Sequence, residues 1–322
     1  MNPKAHYLMG ADGGGSKTAV VLTDLQLNPV LCKSFPRSNP GDIGYEATEA
    51  LLLNAFDEVR KEAGVEKEEI AALFAGVAGL SAGDCTPRMR AALERAYPHA
   101  AVDCSHDGMN VLYAGFPNGE DGVSVICGTG SSCFVRRGDS LYRIGGCGQF
   151  DLKGNGFEIG RAAFAHVFRT MDGRDEAGWL ANALNDRFGG SCHAHIIEIN
   201  DFTKNQFAAH APLVFEAARE HGDTAALAIL RDQLGYVAEL IRTAALLFNG
   251  QPYTVALAGG IFRDPLTLPL LREGTPAQAT LLLPDREPYI GAAAAARALL
   301  NGAARLTAAQ FPACLQKGNN HS

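Results

Sequence analysis

The stretch from Asp12 to Asp24 reads DGGGSKTAVVLTD, and the residue types in its first half are those that can hold an anion. Glycine lets the backbone come close to a charged oxygen, and a turn can aim several N–H groups at one ion. It is not a nucleotide P-loop. That motif needs G-x-x-x-x-G-K-[ST] opening a helix, whereas here Ser16 separates Gly15 from Lys17 and the run Ala19–Thr23 suits a strand. A second stretch, CGTGSSCFVRRGD at 127–139, lies under the first without a gap: Gly13 meets Gly128, Gly15 meets Gly130, Ser16 meets Ser131 and Asp24 meets Asp139. Each is an apolar strand, a Gly/Ser turn and another apolar strand, the pattern of a β-hairpin. One such turn alone reads equally well as structural punctuation. Two matched copies predict hairpins that grip one polyphosphate from opposite sides of a cleft. Asp107, in SHDG, follows the strand-like run AVDCS and so stands at a strand end, where the active sites of α/β proteins gather; the alternative is that it caps the helix that follows. Asn39, before Pro40, reads by itself as a turn residue.

The elements that must position these residues follow from periodicity. Residues 45–63 and 88–98 carry apolar residues at helical spacing, and AALFAGVAGLS at 71–81 reads as a buried strand ending in small residues. In the second half, 156–171 and 223–249 are strongly helical, 253–265 is a strand, a Gly-Gly turn and a helix start, and PYIGAAAAARALL at 288–300 is an alanine-rich helix suited to close packing. No linker rich in Pro, Gly or Ser divides the chain, and the join between halves is expected near Ala114–Asp121.

At 322 residues the chain can bury two cores of ordinary size, and its 47% apolar and 20% charged residues are those of a globular protein. A formal charge of −7 leaves a nucleic-acid partner without an electrostatic footprint. No run approaches a membrane span, and the N-terminal residues lack a basic region followed by an apolar stretch, so a cytoplasmic protein without membrane partners is expected. The eight cysteines are scattered with no C-x-x-C pair, as expected of free thiols in a reducing compartment. Cys192, His193 and His195 form the tightest metal-like group, but no further cluster completes it.

The order DGGGSKT, a strand ending in HDG, GTGS and then AGGIF resembles the actin-like ATPase superfamily of sugar kinases, actin and heat-shock chaperones. Within it the chain resembles the BadF/BadG/BcrA/BcrD-type ATPases, and among them the N-acetylglucosamine kinase branch, over about Tyr7 to Leu300. DGGGSKT and GTGSSC are specific together, whereas AGG alone is weak. The resemblance implies an α/β fold of two actin-like (ribonuclease H-like) lobes with a nucleotide cleft between them. Residues 1–117 with the helix 288–302 would form one lobe and 118–287 the other. It implies ATP and Mg²⁺ as cofactors, a small sugar as substrate and a homodimer. Asp12 would hold Mg²⁺ through water. Gly14, Gly15, Ser16 and Lys17 would surround the β- and γ-phosphates from one side and Gly128, Thr129, Gly130 and Ser131 from the other, while Gly259 and Gly260 would pack under the adenosine. Asp107 would be the base that takes the proton of a sugar hydroxyl. Asn39, Gly145, Gly146, Gly148 and an acidic residue, here Asp151, would complete the sugar pocket. Phosphoryl transfer asks mainly for positioning and charge neutralisation, and these residue types supply both.

One segment departs from the pattern. Related kinases carry G-W-G-x-x-x-G-D-E-G-S after the second hairpin, whereas this chain has GCGQFDLKGNG, with Cys147 for the tryptophan and Lys153 near the acidic pair. A lysine facing the pocket would favour an anionic sugar such as N-acetylmuramic acid; the simpler alternative turns Lys153 to solvent and leaves the sugar contact to Asp151. The leading expectation is an ATP-dependent kinase acting on the 6-hydroxyl of N-acetylglucosamine. The alternatives are a kinase of a related sugar such as N-acetylmuramic acid or glucosamine, an activator ATPase, for which no cysteine stands in a suitable glycine-rich signature, and a non-enzymatic nucleotide sensor.

Overall fold

The computed structural model describes residues 5–147, 150–151, 153–302 and 309–310. The first half contains β1 (Tyr7–Gly13), β2 (Lys17–Asp24), β3 (Pro29–Pro36), α1 (Pro40–Ile43), α2 (Tyr45–Glu62), β4 (Ile70–Val77), α3 (Cys85–Ala96), β5 (Ala101–Ser105) and α4 (Gly108–Gly115). The second begins with β6 (Gly122–Cys127), β7 (Ser131–Arg137), β8 (Ser140–Ile144), α5 (Gly156–Met171) and α6 (Trp179–Arg187). It continues through α7 (Ile196–Asn200), α8 (Lys204–Ala208), α9 (Ala211–Glu220), α10 (Thr224–Ala244), β9 (Tyr253–Ala258), α11 (Thr267–Gly274), β10 (Ala279–Leu282), α12 (Pro288–Leu300) and β11 (Ala309–Gln310).

The strands form one sheet in the order β3-β2-β1-β4-β5 and another in the order β10-β9-β6-β7-β8-β11. In both, an antiparallel hairpin leads into parallel strands: β1 pairs β2 antiparallel and β4 parallel, just as β6 pairs β7 antiparallel and β9 parallel. The halves are therefore one topology used twice. β4 is buried at every position, as expected of an apolar parallel strand covered on both faces.

The gapless register of the two glycine segments does not survive. In the first hairpin Gly13 pairs with Thr18 and the Gly14 N–H donates to the Lys17 carbonyl at 2.9 Å. In the second, Cys127 pairs with Ser131 and the Gly128 N–H donates to the Gly130 carbonyl at 2.9 Å. The first loop is one residue longer, so Gly14, not Gly13, is the counterpart of Gly128. Sequence similarity concealed the gap because glycines stand on both sides of it.

The alanine run of α12 returns to the first sheet. Ile290, the stretch Gly291–Ala296 and Ala298 are buried, and the helix lies against β1 and α4 in a core that also holds Phe134, Leu141 and Ala256 of the second half. Contact is at backbone distance: a Cβ on Gly291 would lie 1.9 Å from the Asn110 carbonyl oxygen, and one on Gly10 would lie 2.4 Å from the Ala293 nitrogen. Gly291→Ala should thus force the α4–α12 crossing apart and destabilise the protein by about 1–3 kcal/mol, the usual range for overpacking. Calorimetry would register this as a drop of several degrees in Tm, and an unchanged midpoint would mean that the crossing yields freely.

Candidate active site

The parallel strands bring the two candidate carboxylates to one edge of the first sheet. Asp12 pairs with Gly76 of β4, and Gly76 pairs with Ser105 of β5, so Asp107 lies just beyond the same end of the sheet as Asp12. With neighbouring strands about 4.8 Å apart, β1 and β5 stand about 10 Å apart across β4. Asn110, fully buried on α4, spans that gap: its Nδ2 donates to Asp12 Oδ1 at 2.6 Å and to the Gly76 carbonyl at 3.0 Å. The amide has room because residue 76 is glycine; a Cβ there would lie 2.0 Å from Asn110 Oδ1.

Asp12 keeps a little accessible surface at the cleft floor, but the protein packed round it strips its carboxyl of water. Burial pushes its pKa up to about 7; the Asn110 hydrogen bond and Lys17 oppose the rise, while Asp107 and Glu287 add to it. Glu287, exposed at the start of α12, was not marked by any motif, and only the return of the last helix brings its charge to this edge.

Asp107 occupies the N-cap position of α4 but does not cap it: its backbone is helical (φ −56°, ψ −25°) and its side chain accepts nothing from the helix. His106 Nδ1 lies against Asp107 Oδ1 and also within 3.3 Å of the Gly108 amide nitrogen. The ring nitrogen cannot donate to one and accept from the other. The Asp107 contact lacks hydrogen-bond geometry, so Oδ1, itself buried, has only the His106 ring against it among the described residues, and the second oxygen is the one left for a ligand. His106 is buried with its ring against Phe134, centroids 4.5 Å apart, which suits a packing role. Phe134 also fills the space beside Gly108, whose carbonyl accepts from Ser124 Oγ at 3.0 Å. The turn carrying Asp107 is thus seated on the second sheet.

The two hairpin turns border a shared cavity. Gly15, Ser16 and Thr129 line one cavity of about 590 Å³. Gly128, Thr129 and Gly260 line another of about 680 Å³ together with Glu216, Arg219 and Arg263. Gly259, at φ +118°, presses on the end of β6, where a Cβ would lie 2.1 Å from the Cys127 carbonyl oxygen. The second turn is further held by α5, whose Gly156 N–H donates to the Gly128 carbonyl at 2.8 Å and whose N-cap Asn155 has Ser131 Oγ 3.5 Å away.

Asn39 caps α1, its Oδ1 accepting from the Gly41 N–H at 2.8 Å, which leaves Nδ2 as a donor. Gly145 and Gly146 both have positive φ, and Arg143 donates to both of their carbonyls. Asp151 accepts from the Tyr236 hydroxyl of α10, whose pKa is raised by burial and by that carboxylate. Gly148 lies outside the described residues. Lys153 is half exposed and pairs with Asp232 of α10 at 2.8 Å, so the chain places its charge on an exposed ion pair. Cys192 is buried and His195 meets Glu198 at 3.1 Å; among the described residues no group of three His, Cys, Asp or Glu could hold a metal. Among the same residues no helix is long and apolar enough to cross a membrane.

Two halves of one topology, each presenting a glycine hairpin to a shared cleft, define the actin-like ATPase fold. The chain belongs to the BadF/BadG/BcrA/BcrD ATPase family, which it matches over residues 9–296. It is similar to the N-acetylmuramic acid/N-acetylglucosamine kinase of Clostridium acetobutylicum, 25% identical over 265 residues that cover 80% of this chain and 86% of the relative. It is also similar to a glucosamine kinase of Vibrio cholerae, 22% identical over 230 residues covering 70% and 76% of the two chains. Among solved structures it resembles a Chromobacterium violaceum protein provisionally described as an N-acetylglucosamine kinase, with a TM-score of 0.68, 26% identity and coverage of 90% of this chain and 99% of that one.

Proposed function

We propose that this ATP-dependent sugar kinase transfers the γ-phosphoryl group of ATP to the 6-hydroxyl of an amino sugar, with N-acetylglucosamine as the foremost acceptor. The observation that carries the reading is the position of the partly exposed Asp107 side chain just beyond the sheet edge that bears Asp12, with the first hairpin turn following directly on the Asp12 strand. The relatives named above act on different sugars, and what these share is a glucose ring bearing nitrogen at carbon 2. The lobes are taken as 1–117 with 288–302, and 118–287.

Asp107 accepts the hydroxyl proton as the sugar oxygen attacks, through the oxygen that His106 does not touch. Backbone N–H groups of Gly15 and Gly130, in turns closed by Gly14 and Gly128 and joined by Ser16, Lys17, Thr129 and Ser131, hold the phosphates in line. Gly259 and Gly260 border the adenosine. Asn39 Nδ2 donates to a sugar hydroxyl, and Gly145, Gly146 and Asp151 border the ring. Asp12 fits an Mg²⁺ site of the kind that uses one carboxylate, several waters and the substrate phosphates: a cation there would offset the burial, and the lesser repulsion from Asp107 and Glu287, that raise its pKa to about 7. When bound, the ion neutralises phosphate charge.

The test is ADP release against a panel of sugars, followed by NMR location of the product phosphate. Turnover of N-acetylglucosamine with phosphate on oxygen 6 is expected; turnover of only unsubstituted hexoses would overturn the amino-sugar reading. Because Lys153 is engaged by Asp232, Lys153→Ala should change kcat/KM for N-acetylglucosamine and N-acetylmuramic acid by the same factor. A selective loss with the acidic sugar would return the lysine to the pocket.

A further inference from the structure

Arg37 stands beside both hairpin turns, and no motif in the sequence marks it. It follows β3 and lines the cavity of about 590 Å³ together with Gly15 and Ser16 of the first turn and Thr129 of the second. It is exposed, and among the described residues no carboxylate pairs with it. Asp42, whose Oδ2 would lie 3.5 Å from a Cβ on Gly15, is not its partner.

The backbone on either side of Arg37 is fixed. Thr18 Oγ1 donates to the Pro36 carbonyl at 2.8 Å and accepts from Ser38 Oγ at 2.8 Å. Ser38 is fully buried, its N–H donates to the Gly14 carbonyl at 3.3 Å, and its own carbonyl accepts from Thr48 Oγ1 at 3.1 Å. The arginine is therefore mounted on the first phosphate turn itself, two residues before Asn39. An unpaired guanidinium costs least beside an anion, and its planar fork matches two oxygens of a phosphoryl group.

We propose that Arg37 is a catalytic residue, its guanidinium binding the phosphoryl group in transit between nucleotide and acceptor. Charge on the equatorial oxygens of that group is what a kinase must stabilise, and a bidentate arginine supplies more in the transition state than in the bound nucleotide. The role rests on the kinase reading of the cleft, not on which sugar enters it.

The test uses the full chain with Arg37→Ala and Arg37→Lys. Since Arg37 has no partner to lose, both variants should keep the wild-type Tm. Calorimetry with Mg²⁺ and ADP should give affinities within about twofold of wild type, while the non-hydrolysable ATP analogue should bind more weakly, because only it carries the terminal group. With N-acetylglucosamine, kcat should fall by about 10²-fold or more in Arg37→Ala, the scale of one lost transition-state donor. Arg37→Lys should recover little, and added guanidinium should restore part of the alanine variant's rate. Unchanged kcat, equal losses of ADP and analogue binding, or a loss confined to an acidic sugar would each overturn the proposal. If wild type phosphorylates no sugar at all, the amino-sugar reading fails, while the two nucleotide titrations still decide the arginine's role.

Discussion

Asp107→Asn should leave a folded protein that binds ATP and sugar yet turns over at least about 10²-fold more slowly, the usual scale for loss of a general base. The substitution keeps shape and removes only basicity. It should not unravel α4, because the Asp107 side chain makes no capping hydrogen bond. Nor should it shift the turn, which is held by Ser124 Oγ on the Gly108 carbonyl and by Phe134 packed beside Gly108. Calorimetric Kd values for both ligands within about twofold of wild type would separate lost chemistry from lost binding. An Asp107→Asn enzyme of normal kcat would remove this residue from the mechanism.

Gly130→Val should abolish useful nucleotide affinity without disturbing the fold. Around Gly130 a Cβ would meet nothing within 4 Å, and its backbone is not left-handed, so valine fits the empty protein. The added methyl groups occupy the open side of the second turn, where phosphate oxygens must approach the N–H groups. The Kd for ATP should rise at least about tenfold, roughly 1.4 kcal/mol, at constant Tm. Gly259→Ala is the instructive contrast. It needs both a left-handed backbone and a Cβ 2.1 Å from the Cys127 carbonyl, so it should lower Tm. Normal ATP titration of Gly130→Val would reduce the second hairpin to a turn.

The hairpins were legible because glycine clusters between apolar runs admit few conformations, α5 because its apolar spacing is long and regular, and α12 because its alanine run favours a closely packed helix. The helices between Trp179 and Glu220 went unread, since all of them span ten residues or fewer and carry too few turns for periodicity to show. Within the site, motif residues were visible and their supports were not. Asn110 looks like one polar residue inside a short helix, and its reach to Asp12 exists only because Gly76, far away in sequence, leaves a gap. Glu287 and Arg37 carry no motif either. Folding brings each to the cleft, one by the return of α12 and the other by the anchoring of Ser38 to the first turn.

That return of α12 also sets an order of events during synthesis. The first sheet is complete in sequence by Ser105, but one face of β1 and the buried side of α4 are covered by residues that leave the ribosome nearly two hundred positions later. Until then the nascent first half shows water an apolar surface meant for a helix not yet made, the condition under which chains recruit chaperones or associate wrongly. The second half, whose core draws on β6–β9 and α5–α11, has no such wait. The half begun first is thus the last to be finished, and a chain released early, before residue 288, would carry Asp107 and the first glycine turn on a sheet without its closing helix, while the second turn already sits in its own sheet.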